Sequence, residues 1–466
     1  MKKYILLVFL LIISNLHAQE KVNSIMTLSE YLGYVKNYHP IVKQANLIIN
    51  KSEAKLLKAR GAFDPKIEVD FNKKQFKNKE YYNKLNAAFK IPTYYGLEFK
   101  ANFENNDGIY LNPESTVPTD GLYSAGISAS LLNGLLINKR MAALKKAKLF
   151  LNQAKEDQQI LVNQILYNAS LSYFNWLKNY NEKKVYSDFL NNAKIRFNAT
   201  KRAFIEGEKP AIDTTEAIIT LNNRKLSLEK ARIKLIKSSL ELSTFLWLNN
   251  NTPVELKEHI IPDVNTLNSI DTTFNIALFN NANFDINKHP KIKSLGFKIQ
   301  SLNIDKNLIK NNLLPKLDVQ YNFLTQNINK INTLNIQNYK AGINFKLPLF
   351  LRKQRGDLKL AKIKLQDKEF ENEIVKITIK NKVKAIQQEL RSFVYQNELT
   401  TTIVKDYDTL LKAENRKLFL GESSLFLVNY REVKLIGAKL KAIDLENSYY
   451  KTKANLFKTA VILLAE

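Results

Sequence analysis

The sequence of 466 residues has no cysteine and few histidines. Disulfides, thiolate metal sites and cysteine nucleophiles are therefore excluded, and so is an N-terminal lipoprotein anchor, which requires a cysteine to acylate. Only His17, His39, His259 and His289 remain, which argues against a histidine-rich metal centre. His39 and His289 each precede a proline in a repeated context, which indicates structural roles. With no paired carboxylates or nucleophile motif, the sequence predicts no catalytic residue, no metal and no cofactor, and hence no enzyme.

Long apolar runs are missing beyond the first residues. A basic start, Met1-Lys2-Lys3, is followed by almost unbroken apolar sequence from Tyr4 to Ile13. This run reaches only about half of the ~20 residues that span a membrane, so residues 1–18 are predicted to be a secretory signal peptide. After residue 19 no stretch approaches ~18 apolar residues, so no membrane-spanning helix is predicted. We therefore expect a periplasmic or extracellular protein, or an outer-membrane barrel.

Acidic residues are outnumbered by basic ones. There are 71 lysines and arginines against 44 aspartates and glutamates, a formal net charge of +27. The basic residues are spread over every segment rather than gathered in one stripe. Nucleic-acid binding relies on clustered lysine and arginine that displace counterions from phosphate, so no nucleic-acid partner is predicted for this exported chain.

Four sets of residues recur in the same order in the two halves of the chain. They are His39-Pro40 with His289-Pro290, Pro65-Lys66 with Pro315-Lys316, Tyr123 to Ile127 with Tyr339 to Ile343, and Gly207-Glu208 with Gly421-Glu422. The ordered recurrence predicts an internal duplication, with a first repeat over residues 19–262 and a second over 263–466. The spacing falls from 250 residues at the first two sets to 216 at the third, so the first repeat holds 34 extra residues between its strands.

Each repeat contains two segments in which apolar and polar residues alternate, the pattern of a β-strand. In the first repeat the strand pair lies within about 66–132, and in the second within about 316–348. Two stretches of the 34-residue excess, Leu85 to Lys90 and Leu97 to Phe103, also have strand character. We interpret most of this excess as an elaborated extracellular loop.

Long helical stretches without proline follow the strands. They run over about 138–206 and 355–420, or ~100 Å each at ~1.5 Å per residue, and each ends at a glycine that can turn the chain, Gly207 or Gly421. Returning helices follow, so that each repeat holds a helical hairpin, at about 138–248 and about 355–464.

The first returning helix carries two apolar series on opposite sides. One is Ile212, Ile219, Leu226, Ile233, Leu240 and Trp247, and the other is Leu221, Leu228, Leu235 and Leu242. Two opposite seams predict helical neighbours on both flanks, as in a stave of a hollow cylinder. A long coiled coil with a drifting stripe is the alternative.

The twofold order of helix, proline, strand, strand, long helix, glycine turn and returning helix resembles that of the TolC-type outer-membrane efflux proteins, over nearly all of the mature chain. The resemblance implies an α+β membrane protein: a homotrimer with four strands per protomer in one 12-stranded β-barrel, continued by a long periplasmic α-helical barrel. Four strands cannot close alone, and an open edge in lipid leaves backbone groups unpaired at several kcal/mol each, so three copies fit the same expectation.

The resemblance also suggests where the duct narrows. Family members often carry acidic side chains six and nine residues after the second hairpin glycine, but this chain has Leu427 and Tyr430 there. We therefore expect an apolar periplasmic gate built from Leu427, Tyr430 and Phe426 rather than an acidic cation-binding ring.

The two hairpin tips are the expected docking site for an adaptor. They carry Gly207 and Glu208 in the first repeat and Gly421 and Glu422 in the second. Asp213 matches a family aspartate at the tip, although an anion at a helix start is favourable in any case.

The leading hypothesis is a passive exit duct in the cell outer membrane, in contact with outer-membrane lipid. Its helical part would lie in the periplasm and receive substrates from a periplasmic adaptor (membrane fusion) protein and an inner-membrane transporter, in an efflux or type I secretion system. The alternative is a periplasmic coiled-coil adaptor or scaffold protein, which would explain the hairpins and the signal peptide but not the strand pairs or the duplication.

Overall fold

The computed structural model describes residues 24–276, 284–462 and 464. The predicted signal peptide, residues 1–18, lies outside the described residues. The chain divides into two compact units, and each takes segments from both halves of the sequence. We name them the sheet unit, residues 46–158 and 286–377, and the helical unit, which contains the other described residues. Among the described residues, no helix has both the length and the apolar character needed to cross a membrane.

Helices account for most of the described chain. Their bounds are α1 Leu28–Tyr38, α2 Pro40–Arg60, α3 Lys139–Ile205, α4 Ala211–Ser243, α5 Thr266–Thr273, α6 Pro290–Asn311, α7 Arg352–Phe419 and α8 Leu425–Ala460. The two long helices α3 and α7 have 67 and 68 residues and lie where the sequence predicts them. The returning helix α4 ends about five residues earlier than predicted, because Trp247–Leu248 turns into a short strand.

Proline and histidine open the two matching helices α2 and α6. The Nδ1 atom of His39 accepts a hydrogen bond from the Ile41 N–H at 3.2 Å, and that of His289 accepts one from the Lys291 N–H at 3.1 Å. Each imidazole thus satisfies a backbone donor that the first helical turn leaves without a partner. Both rings are buried. The structural role predicted for these histidines is confirmed at both positions.

The sheet unit is built around an antiparallel sheet of six strands. They are β2 Lys66–Phe76, β3 Lys79–Pro92, β4 Leu97–Asp107, β5 Leu122–Leu132, β9 Lys316–Thr325 and β10 Tyr339–Lys346. Their order is β10-β9-β5-β4-β3-β2, so β2 and β10 are the edges. Short strands at Ser24–Met26 (β1), Trp247–Leu248 (β6), Thr252–Pro253 (β7) and Ile260–Pro262 (β8) form two small separate pairs.

The expectation of four strands per protomer is therefore wrong, although the α+β fold class is confirmed. The 34-residue excess is mainly a β-hairpin, β3 with β4, inserted between β2 and β5. A tight turn at Lys77 and Asn78, with φ of 50° and 57°, joins β2 to β3. Positive φ at both central residues is the geometry of a two-residue hairpin, which keeps the two strands paired at their outer ends.

The helical unit has an aromatic core. Its largest fully buried side chains are Trp176, Tyr31, Tyr173, Tyr450, Phe174, Phe274 and Phe457. The Tyr173 hydroxyl donates to the Met26 carbonyl at 2.8 Å and accepts from the Asp263 N–H at 3.2 Å, which ties α3 to the ends of β1 and β8. Burial raises the pKa of Tyr173 to about 12, so the ring stays neutral and keeps its donor.

Candidate functional site

The six-stranded sheet has one apolar face that is continuous across all of its strands. The side chains in register on this face are Ile67, Val69 and Phe71 on β2, Leu85, Ala87, Phe89 and Ile91 on β3, Phe99, Ala101 and Phe103 on β4, Ala125, Ile127 and Ala129 on β5, Leu317, Val319, Tyr321 and Phe323 on β9, and Ala341, Ile343 and Phe345 on β10. Many of them are exposed, including Ile67 at 77% and Ile343 at 76%. An apolar surface of this extent marks a contact with lipid or protein.

The opposite face of the sheet is polar and densely charged. Its charged members on the strands are Lys66, Glu68, Asp70 and Lys74, Lys84 and Lys90, Glu98, Lys100 and Glu104, Lys316 and Asp318, and Lys340 and Lys346. Lys100 pairs with Glu98 at 3.5 Å, and Lys316 pairs with Asp318 at 2.9 Å. The Ser130 hydroxyl donates to Asp318 at 2.7 Å. Because both charge signs are interleaved and paired, this face suits contact with water.

Aromatic rings lie at both ends of the sheet. At the end where β2 meets β3, the rings of Tyr81 and Tyr110 are 4.7 Å apart. At the end where β3 meets β4, Tyr94 contacts Phe63 at 6.1 Å and Tyr95 at 5.4 Å between ring centroids. Tyrosine and phenylalanine at the two rims of an apolar band are typical of strands that cross a bilayer.

The two hairpin turns of the helical unit have the same geometry. Gly207 has φ of 81° and Gly421 has φ of 79°, a conformation that glycine adopts without strain. The N–H of Glu208 donates to the Ala203 carbonyl at 2.8 Å, and the N–H of Glu422 donates to the Lys417 carbonyl at 2.9 Å. These bonds close the long helices in Schellman motifs.

The side chains at the tips are open to solvent. Glu208 and Glu422 are exposed, whereas Asp213 is half-buried in the first turn of α4 and lies 4.0 Å from the Lys209 ammonium. At the second tip the Ser423 hydroxyl donates to Glu414 at 2.6 Å, and this bond, with Arg431 at 3.5 Å, holds the Glu414 pKa below its ordinary value. The carboxylate of Glu414 thus stays charged and links α7 to α8.

The predicted gate residues lie together on one exposed face at the start of α8. Phe426 is 64% exposed, Tyr430 is 47% exposed and Leu427 lies beside them, whereas Leu425 and Val428 are buried. Val433 extends the same strip by one turn and was missed by the sequence reasoning, although its spacing from Phe426 and Tyr430 is helical. We call Phe426, Leu427, Tyr430 and Val433 the apolar strip.

A buried ionic cluster involves the same stretch of α8 that carries the apolar strip. Glu432, which is fully buried, accepts from Arg196 on α3 and, at 3.1 Å, from Arg224 on α4. Asn429 accepts from the Arg196 guanidinium at 2.8 Å and donates to Glu216 at 2.9 Å. The cluster therefore joins three helices near the tips. Sequence reasoning missed it because Asn429 and Glu432 lie more than 200 residues from their partners on α3 and α4, and nothing local marks them as partners.

The two apolar series of α4 have different environments. Leu221 and Leu242 are buried inside the protomer, and Leu228 and Leu235 pack against its cores. Five members of the other series are exposed, Ile212, Ile219, Leu226, Ile233 and Leu240. The sixth, Trp247, is half-buried and lies in β6, beyond the end of α4. In the helical unit α7 also exposes an apolar row, Tyr395, Leu399, Ile403 and Leu410. One protomer therefore has two helices with apolar faces that its own described residues do not cover.

Comparison with known proteins gave no matching family model and no matching curated protein. Solved structures do match. The Campylobacter jejuni CmeC outer membrane channel is 14% identical, with a TM-score of 0.64 over 94% of this chain and 87% of that one. The Vibrio cholerae outer membrane protein VceC is 10% identical, with a TM-score of 0.64 over 93% and 96%.

A third solved structure also matches. It is the open state of the Neisseria gonorrhoeae MtrE outer membrane channel, 10% identical, with a TM-score of 0.63 over 93% of this chain and 88% of that one. Together these matches show that the chain has the fold of the outer-membrane channels. The predicted resemblance to TolC-type proteins is thus confirmed for the fold.

Proposed function

We propose that the protein is the outer-membrane exit duct of a tripartite efflux or type I secretion system. The observation that carries the proposal is the two-faced sheet: one face is apolar across six strands, with aromatic rings at both ends, and the other is charged. Such a sheet suits a wall between lipid and water. The shared fold with outer-membrane channels supports the same assignment.

The duct is a homotrimer that conducts passively. Each protomer exposes one apolar face on α4 and another on α7, which suits head-to-tail packing of identical copies into a ring. The number three comes from the resemblance to TolC-type proteins. Substrates enter from a periplasmic adaptor and an inner-membrane transporter, pass the apolar strip and leave through the sheet region.

Fractionation and electrical recording test the proposal. We expect the protein in the outer membrane, and we expect the purified protein to form channels in planar bilayers without an energy source. Recovery as a soluble periplasmic protein without channel activity would instead support the adaptor or scaffold alternative.

The hairpin tips are the adaptor-docking surface of this proposal. Glu208 and Glu422 are exposed beside matching turns, so the two tips offer similar acidic sites to one repeating partner. Glu208→Lys with Glu422→Lys should abolish most crosslinking to the adaptor while channel conductance persists. Exposed Glu229 on α4, changed to Lys in a control, should leave crosslinking unchanged. Equal crosslinking in the tip variant and the control would place docking elsewhere.

A further inference from the structure

The inserted hairpin of β3 and β4 has all the features of its neighbours in the sheet. Its backbone pairs with β2 from Lys66↔Lys90 onward and with β5 from Leu97↔Ala129 to Glu104↔Leu122. Its apolar and polar residues alternate in step with those strands. A surface loop or a periplasmic elaboration would not need an apolar face in register with the rest of the sheet.

The hairpin also has the strand length of a membrane-crossing element, and aromatic residues lie at both of its ends. β3 has 14 residues and β4 has 11, against about 9–11 for a transmembrane strand. Tyr81 lies near the start of β3 and Tyr94 lies in the turn just after its end. The strand from Tyr81 to Pro92 extends about 29 Å along the membrane normal at ~3.4 Å per residue and ~40° tilt. This length suits rings that settle at the two interfaces of one bilayer.

The two edge strands of the sheet, β2 and β10, run in directions that allow them to pair between copies of the chain. Within the described part of the chain, β2 and β10 each have a strand on one side only, and β2 is exposed along its whole length. All neighbouring strands are antiparallel, so β2 and β10 run in opposite directions. The β2 edge of one copy can therefore continue the antiparallel pattern against the β10 edge of the next.

We infer that three copies of this chain join β2 to β10 in a barrel of 18 strands rather than 12. The inference rests on the proposed function, from which it takes the trimer and the membrane. In lipid every backbone donor and acceptor must be paired, so an uncovered edge is excluded and a ring of copies is the closed solution. Two extra strands per protomer keep the total even and the edges antiparallel.

The consequence is a wider outer mouth. At ~4.8 Å between strands and ~40° tilt, 18 strands give a backbone diameter of about 36 Å, against about 24 Å for 12. The hairpin adds its own charged side chains to the polar face, Lys84, Lys90, Glu98, Lys100 and Glu104. The mouth therefore admits solutes that a 12-stranded barrel excludes.

Because the chain has no cysteine, disulfide mapping can test the edge pairing directly. Asn344→Cys on β10 is combined in turn with Glu68→Cys, Asp70→Cys or Asn72→Cys on β2, all on the polar face. After oxidation in outer membranes, at least one pair should give covalent dimers and trimers. The matched control combines Ser128→Cys on β5 with the same three β2 positions. In the six-stranded sheet β2 and β5 are about 14 Å apart, beyond the reach of a disulfide.

The outcomes separate this inference from the proposed function. Crosslinks between β2 and β5, or none between β2 and β10, in a protein that still forms channels would overturn the 18-stranded barrel alone. A β2–β10 crosslink in a particle of two subunits by native mass would also overturn it, since two copies make 12 strands. If the unmodified protein is not recovered in the outer membrane and forms no channels, both the proposed function and the 18-stranded barrel are overturned.

A deletion tests the width. Deletion of residues 79–107 removes β3 and β4. The loop that precedes β5 then connects β2 directly to β5. Polymer exclusion from the outer side should then show a smaller size limit, in line with the fall of about one third in backbone diameter from 18 to 12 strands. An unchanged polymer size limit in a conducting variant would contradict the inference. If the variant does not assemble, the β2–β10 disulfide crosslinks decide the question.

Discussion

At the scale of single residues, two buried ionisable side chains stabilise the helices of the protein. The contacts of each depend on its own charge state. His39 is stacked on Phe245 at 5.7 Å between ring centroids and caps α2 through its Nδ1 lone pair. Glu432 is enclosed between two guanidinium groups. Protonation of the His39 imidazole, or replacement of the Glu432 carboxylate by a neutral group, removes a hydrogen bond or ion pair. Because both side chains are buried, water cannot take its place.

We predict that acidification weakens the fold through His39. Burial lowers the pKa of His39, so below pH ~6.5 the unfolded chain takes up a proton that the folded chain does not. Stability should therefore be unaffected by His39 above that pH and should fall as the pH drops below it. The measurement is the melting temperature of the helical circular dichroism at pH 7.5 and 5.5.

His39→Asn is the comparison variant, because asparagine can cap the helix and does not titrate. It should lose less melting temperature between the two pH values than the unmodified protein. An equal loss in both proteins would contradict the prediction.

For Glu432 we predict a large loss of stability on Glu432→Gln. Removing one partner of a buried ionic cluster leaves uncompensated charge, here on Arg196 and Arg224, at a cost of roughly 3–5 kcal/mol. Unfolding in urea should show this change. Glu229→Gln is the control, because Glu229 pairs with Arg232 at 3.0 Å on the exposed surface of α4, and this substitution should change the stability little. Similar effects of the two substitutions would mean that the cluster is not desolvated.

At the scale of secondary-structure elements, the sequence pattern predicted the features that depend on nearby residues, namely the helix ends and most strands. Gly207 and Gly421 mark the ends of the long helices because only the turn needs positive φ, and strict alternation identified β2, β5, β9 and β10. The strand character of β3 and β4 was also visible, and it was misinterpreted because these residues have no counterpart in the second repeat and were assigned to an extracellular loop. The Arg196–Glu432–Arg224 cluster had no local signal, since tertiary packing alone brings the three side chains together.

For the apolar strip of α8 we predict a role in closing the channel. Leu427→Ala with Tyr430→Ala removes apolar side chains that would exclude water from a narrow passage, so single-channel conductance should rise. Leu47→Ala with Leu57→Ala on α2 removes two exposed apolar side chains that belong to neither the apolar strip nor the proposed faces between protomers, and it should leave conductance near that of the unmodified protein. Unchanged conductance in a correctly assembled Leu427→Ala, Tyr430→Ala variant would place the constriction elsewhere.

At the scale of the whole molecule, assembly depends on surfaces that a single chain leaves uncovered. The exposed apolar series of α4 is the clearest of them. We predict that Leu226→Asp prevents or weakens trimer formation, because each copy loses the burial of one leucine, about 1.5–3 kcal/mol, and places a charge in the contact. Native mass measurement in detergent should show free protomers.

Asn50→Asp adds the same charge at an exposed position on α2, outside the exposed series of α4, and provides the comparison. It should leave the trimer intact. If both variants remain trimeric with unchanged resistance to dissociation, the exposed series of α4 is not the contact between protomers.

The tight turn at Lys77 and Asn78 has a consequence for how such proteins diversify. A hairpin inserted there sends the chain across the sheet and back, so β5 still runs in the direction that leads into α3. Insertion or loss of whole hairpins therefore changes the circumference of a pore in steps of two strands per protomer, without reversing any element that follows.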